Sequence, residues 1–103
     1  MKEVFIVGEM RCLKDKIGEV QEILDQLRAK TRQEDGCIYY QFFEAEDRPG
    51  VFATIEHWNS EESEAEHWKT IHLKEAAAAL SPLLVGKMQI SRYNRSQDEV
   101  GCH

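Results

Sequence analysis

Three of the chain's four histidines and both tryptophans fall in two short stretches, Ile55-Glu56-His57-Trp58-Asn59-Ser60 and Glu66-His67-Trp68-Lys69-Thr70-Ile71-His72. Imidazoles near a carboxylate can move protons at neutral pH, and indoles beside them can wall a dry pocket. The same residues have plainer uses. A histidine next to a tryptophan on a buried helical stripe is more often a packed, hydrogen-bonded core residue than a catalyst. Tyr39, Tyr40, Phe42 and Phe43 are most simply core or interface filling. Trp68 and His72 are four residues apart and share a helical face, which makes them a plausible pocket wall. His67 and His72 are five apart, about 140° around a regular helix, so a continuous helix does not aim both at one ion, and no metal is expected. Glu56 alternates in phase with Phe52, Thr54 and Trp58; if that face is inward, its carboxylate is buried and needs a partner. The glutamates between 61 and 66 read as a solvated helix face.

Other chemistries lack their residues. The six glycines are isolated from one another, so no phosphate-cradling loop is present, and neither G-x-S-x-G nor C-x-x-C occurs. Cys12, Cys37 and Cys102 have no metal-site spacing, and their odd number, in a chain that opens without an export signal, predicts reduced thiols in the cytoplasm. Thirteen Lys and Arg against nineteen Asp and Glu give a net charge of −6, which disfavours nucleic acid and anionic membranes as partners. The longest apolar runs, Val4 to Val7 and Ala76 to Val85, are far below the roughly 20 residues of a membrane span.

The elements that must position these residues follow from periodicity. Residues 4–11 read as a strand and 15–32 as an amphipathic helix, with Ile17, Val20, Ile23, Leu24 and Leu27 inward and Gly36 suited to the left-handed turn beyond it. Residues 37–44 and 51–58 form a hairpin around Pro49-Gly50. A second helix starts at an Asn59 or Ser60 cap, carries an inner stripe of Ala65, Trp68, Ile71 or His72, Ala76 and Leu80, and stops at Pro82. A last strand covers 85–93. Residues 1–95 make one domain, and 96–103 a loose tail. Strand, helix, strand, strand, helix, strand is the ferredoxin-like α+β arrangement with an antiparallel sheet. In the second strand Cys37, Tyr39 and Phe43 alternate with Ile38, Tyr40 and Phe42, so both sheet faces are apolar. The helices cover one face, and the bare aromatic face predicts a homodimer. A domain of 103 residues has little left over to enclose a large ligand alone, so a deep pocket is expected to need the partner subunit.

Glu34-Asp35-Gly36-Cys37-Ile38-Tyr39-Tyr40, Ile55-Glu56-His57-Trp58-Asn59-Ser60 and His67-Trp68-Lys69-Thr70-Ile71-His72 resemble the E-x-G-C-x-x-Y, E-x-W-x-S and H-x-x-T-x-H signatures of the antibiotic biosynthesis monooxygenase superfamily, over about residues 3–94. The resemblance implies a dimeric α+β barrel built from two ferredoxin-like subunits, with a pocket in each between sheet and helices. It further implies a monooxygenase that uses dioxygen without metal, flavin or other cofactor on a small aromatic, hydroquinone- or anthrone-like molecule. Triplet dioxygen demands a substrate made electron-rich by deprotonation, hence a base of near-neutral pKa, donors for the developing oxyanion and a dry pocket. On this reading His72 is the base assisted by His67, Glu56 is an orienting carboxylate, and Trp58, Tyr40, Phe42 and Trp68 are the substrate-binding walls. The superfamily also contains isomerases of phosphorylated autoinducer sugars, whose anion site would fall to Arg11, Lys87 or Arg92, and proteins that could bind a small molecule without turnover. The haem-degrading branch has a tryptophan in place of His67 and a later histidine where this chain has Ala76-Ala77, which argues against haem.

Overall fold

The structure, a computed structural model, describes residues 2–96; Cys102 and all of the expected tail but its first residue lie outside them. Four strands, β1 (Val4–Arg11), β2 (Cys37–Glu44), β3 (Val51–Trp58) and β4 (Gln89–Tyr93), pair antiparallel in the order β2-β3-β1-β4. Helices α1 (Ile17–Thr31), α2 (Glu61–Lys69) and α3 (Ile71–Leu80) complete a ferredoxin-like α+β domain, with a 3₁₀ turn at Ser81–Leu83. No helix among the described residues is long and apolar enough to cross a membrane.

Alternation sorts the sheet into two unlike faces. On the helix side Val4, Ile6, Gly8 and Met10 of β1 lie opposite Trp58, Glu56, Thr54 and Phe52 of β3, all buried. Met10, Phe52, Val20, Leu24 and Leu80 form one core cluster, and Val4, Ile6, Tyr40 and Trp58 form another. The opposite face carries Tyr39, Phe43, Ile55 and Tyr93, all exposed.

Four departures from periodicity matter. The helix expected to run unbroken to Pro82 is interrupted at Thr70, whose ψ of 148° is extended. The Thr70 hydroxyl donates to the His67 carbonyl (2.8 Å) and accepts from the Leu73 N–H (3.3 Å), so one side chain finishes α2 and starts α3. The break re-aims the helical stripe. Glu64 and His67 are the buried residues of α2, whereas Ala65, Trp68 and Ile71 are exposed. The glutamates of this helix are therefore not all solvated. A bulge between Cys37 and Tyr39 sets Cys37 opposite Trp58, on the face of Tyr40 and Phe42 rather than that of Tyr39 and Phe43. Finally, β4 begins only at Gln89, because the chain first turns through Gly86 in a left-handed conformation (φ 72°).

Gly36, as expected, is also left-handed (φ 84°), and a Cβ there would lie 2.1 Å from Ser63 Oγ and 2.5 Å from Asn59 Oδ1. Its carbonyl accepts from the Asn59 N–H at 2.8 Å. The loop after α1 is thereby clamped to the start of α2, and this clamp carries Glu34 into reach of both later helices.

Candidate functional site

One carboxylate oxygen joins the two helical histidines. Glu34 Oε2 lies 2.8 Å from His67 Nδ1 and 2.6 Å from His72 Nε2. The sequence spacing argued against any such convergence, but that argument required an unbroken helix; the Thr70 corner brings the two rings to 6.4 Å. His67 is only 1% exposed, and its ring packs 4.7 Å from Trp58 and 5.8 Å from each of Tyr40 and Trp68. Neighbours on three sides leave the imidazole little freedom to turn.

Between helices and sheet, drawing walls from both core clusters, lies a cavity of about 270 Å³. Tyr40, Phe42, Glu56, His67 and Trp68 line it, as expected for a pocket, together with aliphatic residues from α1, α3, β1 and β4. Two expected members are elsewhere. Trp58 is fully buried and is not a wall; its Nε1 donates to Glu56 Oε1 at 3.1 Å. His72 lines a separate depression between α1 and α3 with Gln26 and Lys30, and reaches the cavity only through Glu34 and His67.

Two other carboxylates on this side of the sheet have contrasting surroundings. Glu56 receives Trp58 Nε1 and the Thr54 hydroxyl (3.1 Å), which itself accepts the Gly8 N–H (3.1 Å). Burial pushes the Glu56 carboxyl above the usual range, and these neutral donors together with His67 only partly offset it. Glu64 is also buried, yet Arg92 grips it through two bonds of 2.6 and 2.8 Å, and Trp68 Nε1 donates to it as well. Burial raises that carboxyl too, but the Arg92 and Trp68 bonds outweigh it and hold Glu64 below the usual range. The Tyr40 phenol is raised by burial first and then by the charge of Glu56. Burial, then Glu34 and Glu56, push the Cys37 thiol up to about 11, so it is a thiol, not a nucleophilic thiolate, at neutral pH.

Of the cations available for an anion site, Arg11 and Lys87 are not cavity walls and Arg92 is held by Glu64, while Lys74 does line the cavity. Glu34 is the functional residue that sequence reasoning passed over. It opens the first signature, but local pattern explains it as part of a helix stop, and its partners are 33 and 38 residues away. Chemically, the site offers an imidazole at an apolar cavity, held from behind by a carboxylate, beside a second carboxyl that burial raises.

Comparison with known proteins agrees with this architecture. A conserved protein from Methanosarcina mazei Go1 superposes with a TM-score of 0.89 at 26% identity, covering 93% of this chain and 95% of the other. A Caulobacter crescentus CB15 protein provisionally named an antibiotic biosynthesis monooxygenase gives 0.88 at 25%, covering 93% and 92%. One from Deinococcus radiodurans with the same provisional name gives 0.85 at 26%, covering 93% and 95%. No curated protein sequence shows a significant match. The family profile described as antibiotic biosynthesis monooxygenase matches residues 3–79, three-quarters of the sequence from β1 into α3. The chain belongs to the antibiotic biosynthesis monooxygenase family.

Proposed function

We propose that the protein is a cofactor-independent monooxygenase for small hydroquinone- or anthrone-like molecules, acting in the cytoplasm as a homodimer. The observation that carries this reading is the placement of His67: it lines an apolar cavity of about 270 Å³ while its Nδ1 is engaged by Glu34. An Nδ1–H donated to Glu34 leaves Nε2 as the ring nitrogen that accepts a proton. Facing a phenolic hydroxyl, it generates the phenolate, and Glu34 stabilises the resulting imidazolium much as a triad carboxylate does. His72, donating to the same oxygen, keeps Glu34 oriented. The roles expected for the two histidines are thus exchanged, with His67 at the substrate and His72 behind it.

The electron balance needs no external reductant. A hydroquinone plus O2 gives a hydroxyquinone plus water, the substrate supplying all four electrons. The phenolate passes one electron to dioxygen, the radical pair combines at a ring carbon, and the peroxide O–O bond breaks as that carbon loses its hydrogen. The departing oxygen leaves as water with the proton held on His67. Glu56, fixed by Thr54 and Trp58, orients the substrate from the cavity wall, and Tyr40, Phe42 and Trp68 supply the apolar walls.

Oxygen uptake by purified, chelator-treated protein over a panel of hydroquinones and anthrone-like phenols tests the reading. The wild type should exceed the spontaneous rate, and His67→Ala should lose at least 100-fold of the enzymatic excess, as expected for a missing general base (about 10²–10⁴-fold). Uptake no faster than the spontaneous rate across the panel leaves an isomerase or a binding protein.

The dimer is supported by the exposed Tyr39, Phe43, Ile55 and Tyr93 on the sheet face away from the helices. Ile55→Asp, at the centre of that face, should convert a dimer into a folded monomer by light scattering with unchanged circular dichroism. An unchanged mass would place the dimer contact elsewhere.

A further inference from the structure

We infer that Glu34, His67 and His72 form a binding site for one divalent transition-metal ion of the zinc class, and that occupancy turns the oxygenase off. The binding half stands on geometry alone; the inhibitory half rests on the function proposed above. Two imidazole nitrogens and one carboxylate oxygen, from the loop after α1, from α2 and from α3, lie within 4.8 Å of one another. Two histidines and a glutamate are a donor set that suits zinc, with a fourth position left for water. Ligand atoms around a tetrahedral zinc lie ~3.3 Å apart at bond lengths near 2.0–2.1 Å. The Glu34 oxygen sits 2.8 and 2.6 Å from the two nitrogens and the three atoms span up to 4.8 Å, so admitting the ion requires that oxygen to withdraw by roughly half an ångström and the two imidazoles to draw together.

The surroundings fit a metal centre. The His67 side chain is 2% exposed, those of Glu34 and His72 are 13% and 20%, so the cluster is shielded but open on the His72 side. The scaffold is rigid at each ligand: Gly36 clamps the Glu34 loop to α2, and the Thr70 hydroxyl fixes the corner between the two histidines. Aromatic rings pack the His67 imidazole in one orientation.

Metal on Nδ1 of His67 takes the place of the proton donated to Glu34, and the ring's remaining proton then resides on Nε2. The nitrogen that accepts a proton in the metal-free protein becomes a donor. Zinc should therefore inhibit oxygen uptake without entering the substrate cavity.

The test is equilibrium dialysis of untagged protein against ZnCl₂ with metal quantification, using wild type, His72→Ala, Glu34→Gln and Cys37→Ser. One zinc per chain is expected for wild type and Cys37→Ser, with affinity at least tenfold lower in His72→Ala and Glu34→Gln. Cobalt substituted for zinc should give visible ligand-field bands without a sulfur-to-metal charge-transfer band. Glu34→Gln keeps the side chain's shape, so it reads ligation even if His72→Ala is unstable. Wild-type affinity retained in both variants, sulfur ligation, or no zinc bound by wild type would overturn the site. If zinc binds as described but uptake persists at saturation, the inhibitory half is overturned while the site stands. If no uptake exists in metal-free protein, the oxygenase reading fails, again without touching the binding result.

Discussion

Glu56 and Glu64 are both buried on the helix side of one small sheet, and the fold treats them in opposite ways. Glu56, on the central strand β3, has only a hydroxyl and an indole N–H within hydrogen-bonding reach, and burial raises its carboxyl. Glu64, on α2, reaches the edge strand β4, where Arg92 is more than half exposed and grips it with two bonds. The lesson concerns water. At the edge a guanidinium can keep its own hydration while neutralising a buried partner; beneath the middle of the sheet a full cation would itself have to be desolvated. The edge pair ties α2 to β4 and pins Trp68 at the cavity rim, while the central carboxyl lines the cavity with, among the described residues, no cation as a hydrogen-bond partner.

The contrast breaks most sharply at Arg92. Arg92→Leu leaves the Glu64 carboxylate buried with Trp68 alone, and should cost about 2 kcal/mol, less than a fully buried pair because the arginine is half open to water. Urea denaturation at neutral pH measures it, and a loss below a few tenths of a kcal/mol would show the pair to be ornamental. Glu56→Gln should be the milder change, since the amide oxygen can still accept from Trp58 Nε1 while the amide NH₂ donates to the Thr54 hydroxyl oxygen in place of the bond it gave.

Titration sharpens the comparison further, with an effect on the order of 1 kcal/mol. The folded chain holds the Glu56 proton more tightly than the unfolded chain does. That stabilisation is present at low pH and is lost as pH rises from the usual carboxylate range through the elevated folded value. Glu64 runs the other way: its contribution is present above the usual carboxylate range and is lost as pH falls through the lowered folded value. Stability measured from acid to neutral pH for wild type, Glu56→Gln and Glu64→Gln should give difference curves of opposite slope. Parallel curves would mean that the two carboxyls are not distinguished by their surroundings.

Much of the fold was legible in the chain. Residues 37–44 and 51–58 are strands with the expected bounds, and the series Phe52, Thr54, Glu56, Trp58 is in phase, though which face it occupies, and so the burial of Glu56, is decided by the structure. Less of the site could be read. Helical periodicity over 61–80 averages across a corner, so Trp68 was expected inside and Glu64 outside, the reverse of what the corner produces. A cue was present at the corner itself: Thr70 is a good N-cap residue, and Lys69 precedes it where a helix end favours positive charge. The bulge after Cys37 has no comparable cue, and a slip of one residue exchanges faces.

By itself the sequence determined the order of elements, the two-sided apolar character of β2, and which residues were chemically equipped to act, because propensity, alternation and donor chemistry are local properties. Only the tertiary structure decided that Glu34 is the hub of the site, that His67 rather than His72 lines the cavity, and that Arg92 answers Glu64. Those pairings span 28 to 38 residues. They exist because a clamped glycine loop, a threonine corner and an edge strand close on one another, and no local period encodes where separate elements meet.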